Sequence, residues 1–243
     1  TTGETPTLAE SEQLEVIRRV AKVAKGRVPI FAGTGSNDTA KSIKQSKAAV
    51  EAGADGVMIV MPYYNKPSQA GMREHVLAIA RQVTVPVMLY NIPGRSVVDL
   101  SIETTEAICS QADNVVALKD ASGNVLRCQE LKRALGDRVA VMCGDDGLTL
   151  GMMATGAAGV VSVSSNVAPQ LVSEGVRRMA AGDLAGARSE HLRLLPLHAA
   201  MFLEPNPQPA KAALALLGKM NDDVRLPLVK ASLATRARLR TLL

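Results

Sequence analysis

A short apolar run recurs along this chain at a nearly fixed interval, and that repetition restricts the fold more than anything else in the sequence. Runs begin at Val28 (Val-Pro-Ile-Phe-Ala), Val57 (Val-Met-Ile-Val), Val85 (Val-Pro-Val-Met-Leu-Tyr), Val115 (Val-Val-Ala-Leu), Val139 (Val-Ala-Val-Met) and Gly159 (Gly-Val-Val-Ser-Val), so successive starts lie 29, 28, 30, 24 and 20 residues apart. Continuous apolar runs bounded by Gly, Pro, Asn and Asp read as strands buried on both faces. Between them, amphipathic patterns predict helices over Thr39–Ala52, Ser68–Val83, Ser101–Gln111 and Asn124–Leu135. On the second of these Met72, Val76, Ile79 and Ala80 form the inward face. Ahead of the first strand, Thr7 to Glu10 has capping-box spacing, and Leu14, Ile17, Ala21 and Ala24 then share one helical face that ends before Gly26.

Strands alternating with helices imply a parallel sheet with right-handed crossovers. Units of near-constant length, with no Gly-x-Gly-x-x-Gly after the first strand, favour an α/β fold of the TIM (β/α)8 barrel type over a dinucleotide-binding open sheet. Such a barrel needs eight strands, and six are found. Two are therefore expected upstream, with Thr1 to Glu4 reading as the loop after an absent strand and an open sheet edge as the result. After Asn166 the pattern turns helical: Pro169–Ala181, Asp183–Leu203 kinked at Pro196, Pro209–Leu217 and Leu228–Leu242. The expected division is a barrel over 1–181 and a helical appendage over 182–243.

Composition narrows the function. Aromatics make up only 2% of the 243 residues, and the net charge of +5 is spread among acids along the helices, so neither a stacking platform nor a basic stripe for nucleic acid exists. Cys109, Cys128 and Cys143 are odd in number and lack metal-ligand spacing, as expected of reduced thiols in the cytoplasm. No apolar run approaches the roughly 18 residues of a membrane span. His75 falls on a polar helix face, His191 and His198 sit in the tail, and no His-Glu-x-x-His occurs, so no metal is expected. Asp145 and Asp146 read as acids at the positive end of a helix, and Gly33-Thr34-Gly35, lacking the lysine of a phosphate loop, as a tight turn.

In a barrel of this type the chemistry sits at the C-terminal ends of the strands. Lys119 ends the fourth run. A lysine there is more commonly one that snorkels to water or pairs with Asp120, but a low-dielectric setting disfavours the ammonium and frees an amine to condense with a carbonyl. Tyr90 ends the third run, 29 residues earlier, and should stand beside Lys119 at the roughly 4.8 Å spacing of neighbouring strands, where a phenol can shuttle protons. All three tyrosines, Tyr63, Tyr64 and Tyr90, fall at strand ends of this face. Arg95 follows in the next loop and could grip a carboxylate with two parallel hydrogen bonds.

Together, Thr1-Thr2-Gly3-Glu4, Pro62-Tyr63-Tyr64-Asn65-Lys66-Pro67, Tyr90-Asn91-Ile92-Pro93-Gly94-Arg95, Lys119-Asp120-Ala121-Ser122-Gly123-Asn124, Gly144-Asp145-Asp146 and Glu204-Pro205-Asn206-Pro207 resemble the dihydrodipicolinate synthase family. That family lies in the pyruvate-dependent class I aldolase superfamily, which also contains N-acetylneuraminate lyase. The resemblance implies that Lys119 forms a Schiff base with pyruvate and that Tyr90 donates protons. It implies that Thr1 and Tyr64 complete a proton relay, Tyr64 reaching in from a neighbouring subunit, and that Thr2 and Val161 hold pyruvate near the backbone of Gly144. It implies that Arg95 binds the carboxylate of aspartate-4-semialdehyde, that no cofactor is used, and that the assembly is a homotetramer built as a dimer of dimers. Relatives among the sialic-acid lyases tend to carry an apolar residue at the Arg95 position, which ranks a 2-keto-3-deoxy-sugar aldolase second. A truncated scaffold without activity is the third reading, since family chains carry about one more βαβ segment before Thr1. Lysine-inhibited members tend to have His, His and Glu where this chain has Glu10, Gln13 and Lys41, so little feedback inhibition by lysine is expected.

Overall fold

The computed structural model describes residues 1–243 as two compact units. The first comprises Ala9–Gly144 with Thr155–Ala157, and the second comprises Thr1–Leu8, Asp145–Ala154 and Ala158–Leu243.

The first unit is a parallel α/β layer. Its strands are β1 (Phe31–Gly33), β2 (Gly56–Val60), β3 (Val87–Asn91), β4 (Val115–Asp120) and β5 (Ala140–Cys143), hydrogen-bonded in sequence order. The helices are α1 (Glu10–Ala24), α2 (Thr39–Glu51), α3 (Gln69–Ala80), the single turn α4 (Pro93–Ser96), α5 (Ile102–Gln111) and α6 (Val125–Leu135). Every strand falls within or beside one of the apolar runs. Two start late: the Ile30 amide is taken by the Asp55 carboxylate at 2.8 Å, so β1 begins at Phe31, and Pro86 has no N–H to donate although its carbonyl accepts from the Val57 amide, so β3 begins at Val87. The helices begin at residues whose side chains accept backbone hydrogen bonds: Asp38 from Lys41, Ser68 from Gly71, Ser101 from Thr104, and Asn124 from Leu126 and Arg127.

The core is aliphatic, as the scarcity of rings demands. Ile59, Leu89, Leu118, Met72, Ile79, Ile108 and Leu131 are all but sealed from solvent. Each such side chain contributes about 1.5–3 kcal/mol by leaving water. Gly35 is required by closeness rather than by its dihedrals, for a Cβ there would lie 2.4 Å from the amide nitrogen of Val60, which supports the tight turn read from the sequence.

Three expectations change in this unit. Helix α1 is not capped by Thr7: it starts at Glu10 behind Ala9, where the Glu12 carboxylate accepts from the Ala9 amide at 2.8 Å, while Thr7 closes a separate 3-10 turn over Thr5–Thr7. Tyr63 and Tyr64 do not end a strand, since β2 stops at Val60 and both phenols ride on the loop beyond it. His75 is not on a polar face. It is buried, with Nδ1 2.9 Å from Thr39 Oγ1, because α2 and α3 pack together and the helix periodicity of α3 could not reveal a second helix covering that side.

The second unit holds β6 (Gly159–Val160), α7 (Thr149–Ala154), α8 (Pro169–Ala180), α9 (Leu184–Ala200), α10 (Gln208–Leu216) and α11 (Leu233–Arg240). Helix α9 runs through Pro196. The helix expected over Leu228–Leu242 is shorter, because Ser232 accepts from the Thr235 amide and so sets the N-terminus there. Buried Leu194, Leu197, Met201, Ala213 and Leu239 form its core, and Val167, Leu171 and Val172 pack against that core.

Burial holds the imidazoles of His75 and His198 below their ordinary 6.5, overcoming the opposite pull of Asp38 on the first and of Asp146 and Asp145 on the second. Below pH 6.5 the unfolded chain therefore binds protons that the folded chain refuses, so stability falls as pH drops from 6.5 toward the depressed folded values. Thermal unfolding at pH 7.5 and 5.5 checks this. The midpoint should be lower at pH 5.5, and a His75→Gln variant should lose part of that difference.

Candidate active site

The predicted phenol and amine are the penultimate residues of β3 and β4, one short of the strand ends expected from the sequence. Their parallel register pairs Tyr90 with Lys119 and Asn91 with Asp120. The alignment depends on an irregularity near the start of the pair: Val87 faces Val115, but Met88 faces Ala117, so Val116 is the extra residue that brings the phenol level with the amine. Lys119 Nζ lies 4.0 Å from the centroid of the Tyr90 ring. The tyrosine is 8% exposed and the lysine half-buried, which leaves the amine reachable at the edge of an aliphatic core. An ammonium over an aromatic face is attracted by the ring quadrupole, and a neutral amine there is well placed to meet a carbonyl.

Successive residues of a strand face opposite sides, so Asn91 and Asp120 point away from the amine. Both are buried, and both join a polar network with the buried Arg127 of α6. Arg127 Nε donates to Asp120 Oδ2 at 2.8 Å, its Nη2 donates to the carbonyl of Leu100, and its Nη1 lies 3.9 Å from Asp99 Oδ1. Asn91 Nδ2 donates to Asp99 Oδ1 at 2.8 Å and to Asp120 Oδ2 at 3.4 Å, while Asn91 Oδ1 accepts from the Leu100 amide at 3.0 Å. The other Asp120 oxygen accepts from the amide and hydroxyl of Ser122. Removing one partner of such a buried ion pair costs about 3–5 kcal/mol, because the remaining charge stays buried. None of this was read from the sequence beyond a possible Asp120 partner. The available signal was Arg127 itself, a charge on the same helical stripe as Cys128 and Leu131.

Other predicted residues fall as follows. Arg95 is exposed on the single turn α4, at the end of which Val97 adopts a left-handed φ of 68°. Tyr64 is 88% exposed, with a φ of 74°. Gly144 follows β5, and a Cβ there would meet Ala121 Cβ at 2.7 Å and the Asp120 carbonyl at 2.9 Å, so any side chain must displace the backbone that follows Lys119.

Thr1, Thr2 and Val161 belong to the second unit. Thr2 Oγ1 accepts from Asn206 Nδ2 at 2.7 Å, and Glu4 is tied to Lys211 at 2.7 Å, which anchors the N-terminal segment to the approach to α10 and to α10 itself. Asp145 caps the 3-10 turn after it by accepting from the Gly147 amide, as an acid at a helix start would. Asp146 corrects the sequence reading. It is buried, and its carboxylate accepts from Ser162 Oγ and from the amides of Val163 (2.8 Å) and Ser164 (3.1 Å), fixing the turn directly after Val161. Ser164 Oγ in turn lies 2.9 Å from His198 Nδ1. The three cysteines are buried and form no disulfide; burial pushes the Cys109 thiol up to about 11.

A parallel α/β layer that sets an amine over a tyrosine ring at adjacent strand ends fits a lyase of the Schiff-base-forming class, and the family match places the chain in that class. The chain belongs to the dihydrodipicolinate synthetase family, whose model matches residues 1–243. It is 66% identical to the 4-hydroxy-tetrahydrodipicolinate synthase of Sorangium cellulosum over 97% of this chain and 78% of that protein. It is 47% identical to the Trichlorobacter lovleyi enzyme of the same name over 100% of this chain and 83% of that one. Among solved structures, the dihydrodipicolinate synthase of Aquifex aeolicus superposes with a TM-score of 0.97 at 42% identity, covering 99% of this chain and 82% of that one. The Acinetobacter baumannii enzyme, solved in complex with pyruvate, superposes at 0.96 with 41% identity over 99% and 82%.

Proposed function

We propose that Lys119 is the nucleophile in the reaction this family performs, the condensation of pyruvate with aspartate-4-semialdehyde to 4-hydroxy-tetrahydrodipicolinate in lysine and diaminopimelate synthesis. The observation that carries this reading is the amine held 4.0 Å over the Tyr90 ring by the β3–β4 register. The Lys119 amine adds to the C2 carbonyl of pyruvate, and the carbinolamine loses water to give an iminium. Loss of a C3 proton then yields an enamine, with Tyr90 carrying protons in both steps. The enamine carbon adds to the aldehyde, and attack by the semialdehyde's own amine on C2 closes the ring and returns Lys119 free. Thr1 and Tyr64 relay protons from Tyr90, and Thr2, Val161 and the backbone at Gly144 hold pyruvate.

Tyr64 serves a neighbouring copy, consistent with its exposure and left-handed backbone in the single chain. The assembly is a homotetramer, a dimer of dimers, acting in the cytoplasm; no helix is long and apolar enough to cross a membrane. The six strands belong to a TIM (β/α)8 barrel spanning 1–181, with 182–243 as a helical appendage. Trapping with borohydride in the presence of pyruvate, followed by mass mapping, tests the nucleophile: a reduced adduct on Lys119 supports it, and an adduct elsewhere overturns it.

Arg95 binds the carboxylate of the semialdehyde. Arg95→Leu should raise KM for the semialdehyde by roughly ten- to a hundredfold, the loss of one bidentate charged pair, while leaving pyruvate trapping near wild type. Equal losses with both substrates would remove Arg95 from recognition.

Lysine regulates this chain weakly. Glu10 is already paired with Lys44 at 3.0 Å, and Gln13 and Lys41 complete a pattern opposite to that needed for a cationic ligand. Activity in millimolar lysine should hold within about twofold, and a collapse there would sink the expectation.

A further inference from the structure

The reaction as derived uses Lys119, Tyr90 and Arg95, yet the most heavily bonded polar group of the first unit is the Asn91–Asp99–Asp120–Arg127 network, which touches none of the reacting atoms. We propose that Asn91, Asp99 and Arg127 are positioning residues that set specificity for a carboxylate-bearing aldehyde, by closing the Arg95 segment onto the strand ends that carry Lys119 and Tyr90. This rests on the assignment of Arg95 to the substrate carboxylate.

The geometry is that of a loop tied at its base. The chain leaves β3 at Asn91, makes the single turn α4 with Arg95 in it, and comes back at Asp99 and Leu100 to the side chain of the residue it left. Asn91 spends all of its amide on this closure: Oδ1 takes the Leu100 amide at 3.0 Å, and Nδ2 reaches Asp99 at 2.8 Å and Asp120 at 3.4 Å. Arg127 binds the same return point, through the Leu100 carbonyl and Asp99, and with its Nε holds Asp120, the residue after Lys119. One guanidinium thus fixes where the Arg95 segment ends and where the nucleophile's strand ends. Within the segment the geometry is already held, since the single proton of the buried Ser96 hydroxyl is shared between the carbonyls of Ile92 (2.9 Å) and Val98 (3.0 Å). From outside, Gln69 Nε2 donates to the Asp99 carbonyl at 2.7 Å. The segment is therefore a small rigid body, and its placement is decided at its base. A shift of about 1 Å there moves the Arg95 guanidinium by as much, enough to cost on the order of a hundredfold in a well-aligned site.

Steady-state kinetics with each substrate, together with borohydride trapping by pyruvate, test this in Asp99→Ala, Arg127→Lys and Arg95→Leu, and in the Asp99→Ala/Arg95→Leu double variant. Asp99 is half-exposed, so Asp99→Ala loosens the base while leaving the Asp120–Arg127 pair in place and the protein folded. Expected are a roughly tenfold or greater rise in KM for the semialdehyde in Asp99→Ala and Arg127→Lys, with pyruvate KM and trapping rate within about twofold of wild type. In the double variant Asp99→Ala should add nothing to the loss from Arg95→Leu, because it acts through that guanidinium. Parallel loss of pyruvate and semialdehyde parameters, or additive losses in the double variant, would make the network a purely structural one and overturn the proposal. If Arg95→Leu leaves semialdehyde KM unchanged, the Arg95 assignment itself fails and the proposal falls with it. If Arg95→Leu has its effect and Asp99→Ala and Arg127→Lys have none, only the positioning role fails.

Discussion

Replacing Lys119 by methionine should abolish turnover by at least about three orders of magnitude in kcat/KM, since a covalent route loses its nucleophile and nothing else in the unit offers an amine at that point. Methionine keeps an unbranched stem of similar length, so the strand end should remain packed. The variant should unfold near the wild-type temperature and take up no label from pyruvate and borohydride. A coupled assay that follows the condensation product measures the loss, and residual activity within tenfold of wild type would rule out a Schiff base at this lysine. Lys119→Arg separates charge from nucleophilicity: the guanidinium retains the cation over the ring but cannot condense, so it should be as inactive as methionine.

The second large effect is expected at Tyr90. Tyr90→Phe preserves the ring that the amine sits on, so the 4.0 Å contact survives, and only the hydroxyl is lost. General acid–base participation is worth about 10²–10⁴-fold, and kcat should fall within that range. Pyruvate should still be trapped on Lys119, only more slowly, because the carbinolamine must lose water without a positioned proton donor. A kcat within a few-fold of wild type would mean that another group moves those protons.

The repeat of apolar runs was sufficient to locate every strand but not its limits, since β1 and β3 begin inside their runs and β6 is only Gly159–Val160. The 29-residue separation of Tyr90 and Lys119 was likewise legible, being one repeat. What could not be read were the contacts made across elements. Val116 had to be counted as extra before the register came right, and a run of Val-Val-Ala-Leu carries no sign of which valine is unpaired. His75 lay on what looked like a polar face until α2 covered it. Asp146 resembled a helix-start acid because its partners, the turn of Ser162–Ser164, lie 16 to 18 residues onward. Arg127 was legible in principle, as a charge on an apolar stripe, but its partners Asp99, Leu100 and Asp120 come from three different places in the chain.

Beyond the unpaired valine of β4, chain length rather than residue identity is the vulnerable quantity. Losing Val116 itself would only make the ladder regular, since Val115 and Ala117 already face Val87 and Met88; losing Leu118 would leave the start of the ladder in place yet turn everything downstream to the opposite side. The carboxylate of Asp120 would be turned toward the phenol and the Lys119 amine toward the guanidinium of Arg127, exchanging nucleophile for anion by parity alone.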